Sequence, residues 1–252
     1  GAMEHHQSAK MKNTIESNRK LWDSDYHWSS DGDEWQGQAA YCGVDYEVWK
    51  ASLVKHLLNP YLVKDATVLE IAPGHGRWSE LMIEKVKKLI LVDLGENNIE
   101  FCRNRFQNYN HIEYVVNDGK SLPGVDDESV DFIWSYDSFV HMDNEVINAY
   151  FSEMNRVLKP GGQAVIHHAG RSHTFLWLGF IRHRGEIGKQ IYKLISMKRL
   201  KDDDGWRSNV SKEVIRKLAR QNGLNVLNQL QYWDIRGIGV PRFNDCITEL
   251  EK

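Results

Sequence analysis

A chain of 252 residues, 41% hydrophobic and 27% charged, can bury a sizeable core without disulfide or metal staples and has the composition of an ordinary globular protein. Its formal net charge of -3 gives no overall attraction to nucleic acid or to an anionic membrane. The three cysteines, Cys42, Cys102 and Cys246, stand far apart, show no CxxC pair or disulfide framework, and suit a reducing cytoplasm.

Gly1-Ala2-Met3 reads as a protease-cleavage scar, and nothing after it resembles a secretory signal. Residues 13–22 have helical character, 23–46 are polar and aromatic without a clear period and read as a loop or lid, and 46–58 regain helical spacing before Pro60. Of nine tryptophans, Trp22, Trp28, Trp35 and Trp49 fall before residue 50. Indoles at that density line small-molecule pockets or pack cores, and composition does not choose between the two.

From residue 67 the pattern changes. Short apolar runs at 67–71, 88–93, 112–116, 130–135 and 163–168 read as buried strands. Helical segments at 78–86, 97–106 and 144–158 separate them, the last closed by Lys159-Pro160-Gly161-Gly162 as a sharp stop. Alternating strands and helices predict right-handed crossovers and a doubly wound, mostly parallel α/β sheet, and the continuously apolar strands suit a sheet covered on both faces. Residues 171–207 break the pattern with an aromatic and basic segment, read as a helical cap inserted after strand five. Asp202-Asp203-Asp204 within it could bind a cation or form a solvated turn. A helix over 211–222, opened by Ser211 and closed by Gly223, leads to two final strands at 224–233 and 244–250. The expected organisation is an N-terminal helix-and-lid region at 1–60 and a main domain at 61–252. No apolar run is long enough to span a bilayer.

Ligands of such sheets bind at the carboxyl ends of the strands. Glu70, Asp93 and Asp118 lie at or near three of those ends. The glycine turn Gly74-His75-Gly76 after the first strand lets backbone approach a ligand closely. Asp93 follows it at the distance where a carboxylate holds ribose hydroxyls, and Asp118 could accept from an adenine amino group. A dinucleotide turn would have a third glycine where Ser79 stands, and Arg77 and Trp78 would crowd a pyrophosphate.

Val68-Leu69-Glu70-Ile71-Ala72-Pro73-Gly74-His75-Gly76 is similar to the first motif of class I S-adenosylmethionine-dependent methyltransferases. Leu91-Val92-Asp93, Asn117-Asp118-Gly119, Asp131-Phe132-Ile133-Trp134-Ser135-Tyr136 and Arg156-Val157-Leu158-Lys159-Pro160-Gly161-Gly162 resemble the later ones, in order, over residues 65–169. The resemblance implies a seven-stranded sheet whose last strand is antiparallel, with S-adenosyl-L-methionine as cofactor. It places Glu70, Ala72, Gly74, Gly76, Trp78, Asp93, Leu94, Asn98, Asp118, Gly119 and Tyr136 around that cofactor, with Glu70 suited to its amino group. For Asn98 and Gly119, plain helix and turn chemistry is an equal reading. Pro73 and His75 depart from the smaller residues usual in the turn, which bears on its local geometry.

Methyl transfer is an in-line displacement served by alignment and a dry pocket, and an oxygen nucleophile also needs a base. The candidate bases are His141 first, for its place in the loop after strand four, then His168 and Asp137. No metal ligand is assigned. The expected acceptor is a small molecule or sugar, from a likeness to bacterial small-molecule and sugar O-methyltransferases. The alternatives are an inactive S-adenosylmethionine-binding protein or an RNA or protein methyltransferase. The absence of an Asn-Pro-Pro-Tyr motif after strand four and the unextended basic patch argue against nucleic acid.

Overall fold

The computed structural model describes residues 13–28, 45–170, 181, 184–195, 208–231 and 245–252. Strands β1 (Thr67–Ile71), β2 (Lys88–Asp93), β3 (Ile112–Val116), β4 (Val130–Ser135), β5 (Leu158–Ala169), β6 (Asn225–Leu230) and β7 (Asp245–Glu251) form one seven-stranded sheet in the order β3-β2-β1-β4-β5-β7-β6. Strands β1 to β5 pair in parallel, while β7 runs antiparallel to both β5 and β6. The order reverses between β1 and β4, which opens a crevice at their carboxyl ends.

Helices cover both faces, and the strands distribute their side chains with the pleat's period of two. Leu69 and Ile71 of β1 and Ile90 and Val92 of β2 join one core. That core is closed by α5 (Asn144–Val157) and α7 (Lys212–Gln221) through Ile147, Phe151, Met154 and Ile215. Val68 of β1 and Leu89 and Leu91 of β2 join the other core, with Trp49 and Leu53 of α2 (Tyr46–Leu53) and Met82 of α3 (Ser79–Met82). Cys102 of α4 (Glu96–Arg105) packs there too. This double burial is why the strands read as unbroken apolar runs.

Some boundaries moved. Helix α1 (Ile15–Arg19) continues as a wide helical turn over Lys20–Asp25, so the first residues expected in the lid are helical. Helix α5 stops at Val157, within one residue of the expected end, but Lys159-Pro160-Gly161-Gly162 are extended in β5 and do not form a separate turn. Gly161 donates to the Lys252 carbonyl and Lys252 donates to the Gly162 carbonyl, both at 3.0 Å, so the far end of β7 supplies ladder bonds that keep these residues extended. Ser211 caps α7 by accepting from the Val214 amide at 3.2 Å. Of the expected cap, the described part contains α6 (Gly185–Ile195); His173, Trp177, Phe180, Arg182, Lys198, Arg199, Asp202 to Asp204 and Trp206 lie outside the described residues, as do Trp35 and Cys42. Among the described residues no helix is long and apolar enough to cross a membrane.

Candidate active site

Three left-handed residues shape the turn after β1: Ala72 at φ 58°, Gly74 at 57° and Gly76 at 94°. Glycine adopts this region freely, whereas alanine in it costs about 1–2 kcal/mol. Ala72 is held there by its amide, which donates to the Val92 carbonyl at 2.7 Å. His75 fits because its ring turns aside, stacked on Phe101 at 3.7 Å and on Trp28 at 4.6 Å, while Arg105 donates to its carbonyl at 2.6 Å. His75, unusual in such a turn, is accommodated by this aromatic stack.

The turn opens onto a cleft whose floor is Ala72, Pro73, Gly74, Asp93 and Leu94. Asp93 is buried at the end of β2 and accepts from the Gly95 amide at 2.8 Å and the Gly74 amide at 3.4 Å, with the Asn98 side-chain amide at 3.5 Å. Burial pushes its carboxyl up to about 6, against the pull of those donors. Asn98 and Gly119 also line the cleft. The Asn98 Oδ1 atom is buried with no hydrogen-bond partner among the described residues.

The opposite wall comes from the loop after β4, through Tyr136, Asp137, Ser138 and His141, together with Arg77 and Trp78. Asp137 has φ 66°, and its carboxylate receives the Arg77 guanidinium at 2.8 Å. The roof is the N-terminal segment. Ile15 lies against Gly119, the Trp28 ring lies over Gly74, and Trp22 packs against the His141 ring at 4.9 Å. Asn18 donates to the His141 carbonyl at 3.0 Å. Asp23 accepts from the Asn98 amide at 3.1 Å and caps α4, whose own preceding residue, Gly95, has no side chain to do so.

Of the residues expected from sequence, Ala72, Gly74, Trp78, Asp93, Leu94, Asn98, Gly119, Tyr136, Asp137 and His141 line the cleft. Four stand apart from it. Glu70 is buried beneath the turn, where the Ser79 hydroxyl donates to it and burial pushes its carboxyl up to about 8. Gly76 packs against the Phe106 ring. Asp118 is exposed and spends one oxygen on its own turn, accepting from the Lys120 amide at 3.0 Å and the Ser121 amide and hydroxyl at 2.9 and 2.7 Å. Partial burial works against ionisation there, but these donors hold the carboxyl below its ordinary range. His168 lies inside the sheet, with Nδ1 at 2.7 Å from the Ala169 carbonyl and Nε2 at 2.5 Å from the Thr248 hydroxyl. Burial lowers it to about 4, so it is neutral with both nitrogens engaged and cannot reach a substrate in the cleft.

Residues 68–162 match the methyltransferase-domain family. The match covers less than half of the chain. The chain shares 28% identity over 123 residues with the demethylmenaquinone methyltransferase of Staphylococcus carnosus, covering 48% of each chain; the chain spans about half the length of the curated relatives it matches. Among solved structures, an S-adenosylmethionine-dependent methyltransferase from Clostridium acetobutylicum aligns over 82% of this chain and 92% of its own, with TM-score 0.57 and 19% identity. A geranyl diphosphate C-methyltransferase from Streptomyces coelicolor, bound to S-adenosyl-L-homocysteine, aligns over 94% and 97%, with TM-score 0.61 and 14% identity. The fold of the chain is therefore that of S-adenosylmethionine-dependent methyltransferases, seven strands with β7 reversed. In that fold the cleft found here is the crevice where the strand order reverses.

Sequence reasoning undervalued Arg77, read as bulk, and missed the contributions of Ile15, Asn18 and Asp23. The tryptophan density before residue 50 was the available signal for the roof, and Trp22 and Trp28 act in it. No local pattern marks Ile15, Asn18 or Asp23, because their partners lie on other elements.

Proposed function

We propose that this chain transfers the methyl group of S-adenosyl-L-methionine to a small-molecule acceptor, with a hydroxyl as nucleophile and His141 as base. The observation that carries the reading is Asp93, a buried carboxylate at the end of β2 that faces a cleft walled by the glycine turn and the loop after β4. The residues present suit the donor. Asp93 offers acceptors for ribose hydroxyls, Gly119 and Ile15 line the cleft where a flat base would lie, and the unpartnered Asn98 Oδ1 awaits a donor.

S-adenosylmethionine supplies a methyl group on a sulfonium and leaves as S-adenosylhomocysteine once the carbon–sulfur bond breaks. The chain's own residues align the acceptor, exclude water and take up the proton. Trp22, Trp28, Trp78 and Tyr136 line the cleft with ring faces that suit a cyclic acceptor. His141 takes the hydroxyl proton on a ring nitrogen as the oxygen–carbon bond forms, and the contact with Trp22 sets the plane of its ring. In its finer form the reading makes the acceptor a sugar. The curated relatives are named for demethylmenaquinone, a different ring. The test is S-adenosylhomocysteine release over a panel of free sugars, nucleotide-linked sugars and a demethylmenaquinone analogue. Turnover with a sugar supports the finer reading, and turnover only with a non-sugar overturns it. Donor binding without turnover on any acceptor points to a binding protein.

A further inference from the structure

Behind the cleft wall runs a chain of buried polar and titratable groups that methyl transfer, as described, does not use. Asp245 at the start of β7 and His167 of β5 are fully buried, and the His167 Nε2 atom lies 2.9 Å from the Asp245 carboxylate. The Nδ1 atom of the same ring accepts the Asp137 amide at 3.1 Å and lies 3.3 Å from the Asp137 carboxylate. Tyr136 stacks on the His167 ring at 4.1 Å and 15°, fixing its plane. The other Asp137 oxygen meets Arg77, whose exposure is 5%. The chain thus runs Asp245, His167, Asp137, Arg77, and its last two members line the cleft.

Buried ion pairs cost desolvation and add little to stability by themselves. Asp137 also carries a left-handed backbone, which persists only where the surroundings enforce it. Strain and buried charge together at a cleft wall point to a ligand. Among the described residues, the formally charged side chains lining the cleft are Arg77, Asp93 and Asp137. Asp93 is the ribose partner in the reading above. Glu70, the sequence's candidate for the donor's amino group, lies outside the cleft and is bound by Ser79. An amino acid carries one ammonium and one carboxylate, and Asp137 beside Arg77 is the complementary pair.

We propose that His167 and Asp245 are positioning residues, which hold Asp137 so that the Asp137–Arg77 pair receives the amino-acid end of the donor. The inference rests on the methyltransferase reading and assigns Asp137 to binding rather than to proton transfer.

Calorimetry with two ligands separates the possibilities. S-adenosylhomocysteine carries the amino-acid end, whereas 5′-methylthioadenosine has the same adenosine and sulfur without it. Wild-type protein should bind the first about 10-fold or more tightly than the second, the scale of one charge-assisted hydrogen bond. Asp137→Asn should weaken S-adenosylhomocysteine about 10-fold and leave methylthioadenosine within about 2-fold. His167→Asn and Asp245→Asn should show the same selective loss at smaller size, which a merely structural role would not produce. Equal losses for both ligands, or no loss, overturn the proposal, as does a wild-type protein that does not distinguish them. That last comparison needs no variant and stands if a substitution fails to fold. Wild-type protein that binds neither ligand defeats the methyltransferase reading itself, a separate outcome.

Discussion

The loop after β4 and the end of β5 sit side by side at the carboxyl edge of one sheet, and both carry histidines. His141, in the loop, faces the cleft beneath Trp22, while His167 and His168, on the strand, are sealed. The difference lies in the neighbouring strand. β7 runs antiparallel to β5 and pairs Cys246 with His168 and Asp245 with Ala169, so the start of β7 covers the end of β5. Among the described residues, no reversed strand pairs with β1, β2 or β4. In this sheet the polar residues at strand carboxyl ends that line the cleft lie where the neighbouring strands are parallel. On the reversed side the same residue type is consumed by hydrogen bonds.

The largest expected effect breaks this comparison if it fails. His141→Gln should lower turnover about 100-fold or more, the usual worth of a general base, with donor affinity within about 3-fold. Steady-state kinetics and calorimetry check it, and unchanged turnover would remove His141 as the base. Next, Asp93→Asn should weaken S-adenosylhomocysteine about 10- to 100-fold, because a carboxylate accepts ribose hydroxyls more strongly than an amide does.

His168→Gln should spare turnover and cost about 1–3 kcal/mol of stability through its broken pairs with Thr248 and Ala169. Its pH dependence sharpens the contrast. An unfolded histidine binds a proton near 6.5, whereas folded His168 refuses one until about 4. Its contribution is therefore full above pH 6.5 and lost as the pH falls toward 4. Thermal melts across that window should fall more steeply for wild type than for the variant. The smallest effect is Ala72→Gly. Relief of about 1–2 kcal/mol of backbone strain is offset by about 0.4–1 kcal/mol of added unfolded-state entropy, so the melting temperature should rise by no more than about 6 °C.

The strands of the sheet were legible because each is a short apolar run bounded by a turn, a local signal. β1 to β4 fall where the pattern predicted. Asp93 and the glycine turn were legible for the same reason, since strand end and turn are adjacent in sequence. Glu70 was misplaced because its burial depends on Ser79, which returns only after the turn closes. His168 was misplaced because its partner Thr248 comes from a strand about eighty residues later, whose direction no local pattern encodes. Asp245 was invisible on the same ground.

The cap that Asp23 places on α4 has a consequence in time as well as in space. The helix carrying Asn98, and the loop that fixes Asp93, borrow their first-turn acceptor from a segment more than seventy positions upstream. The Asn98 amide can therefore exchange its proton with solvent only when that segment lifts away. Its hydrogen-exchange rate serves as a clock for the roof's departures, and donor bound beneath the roof should slow it.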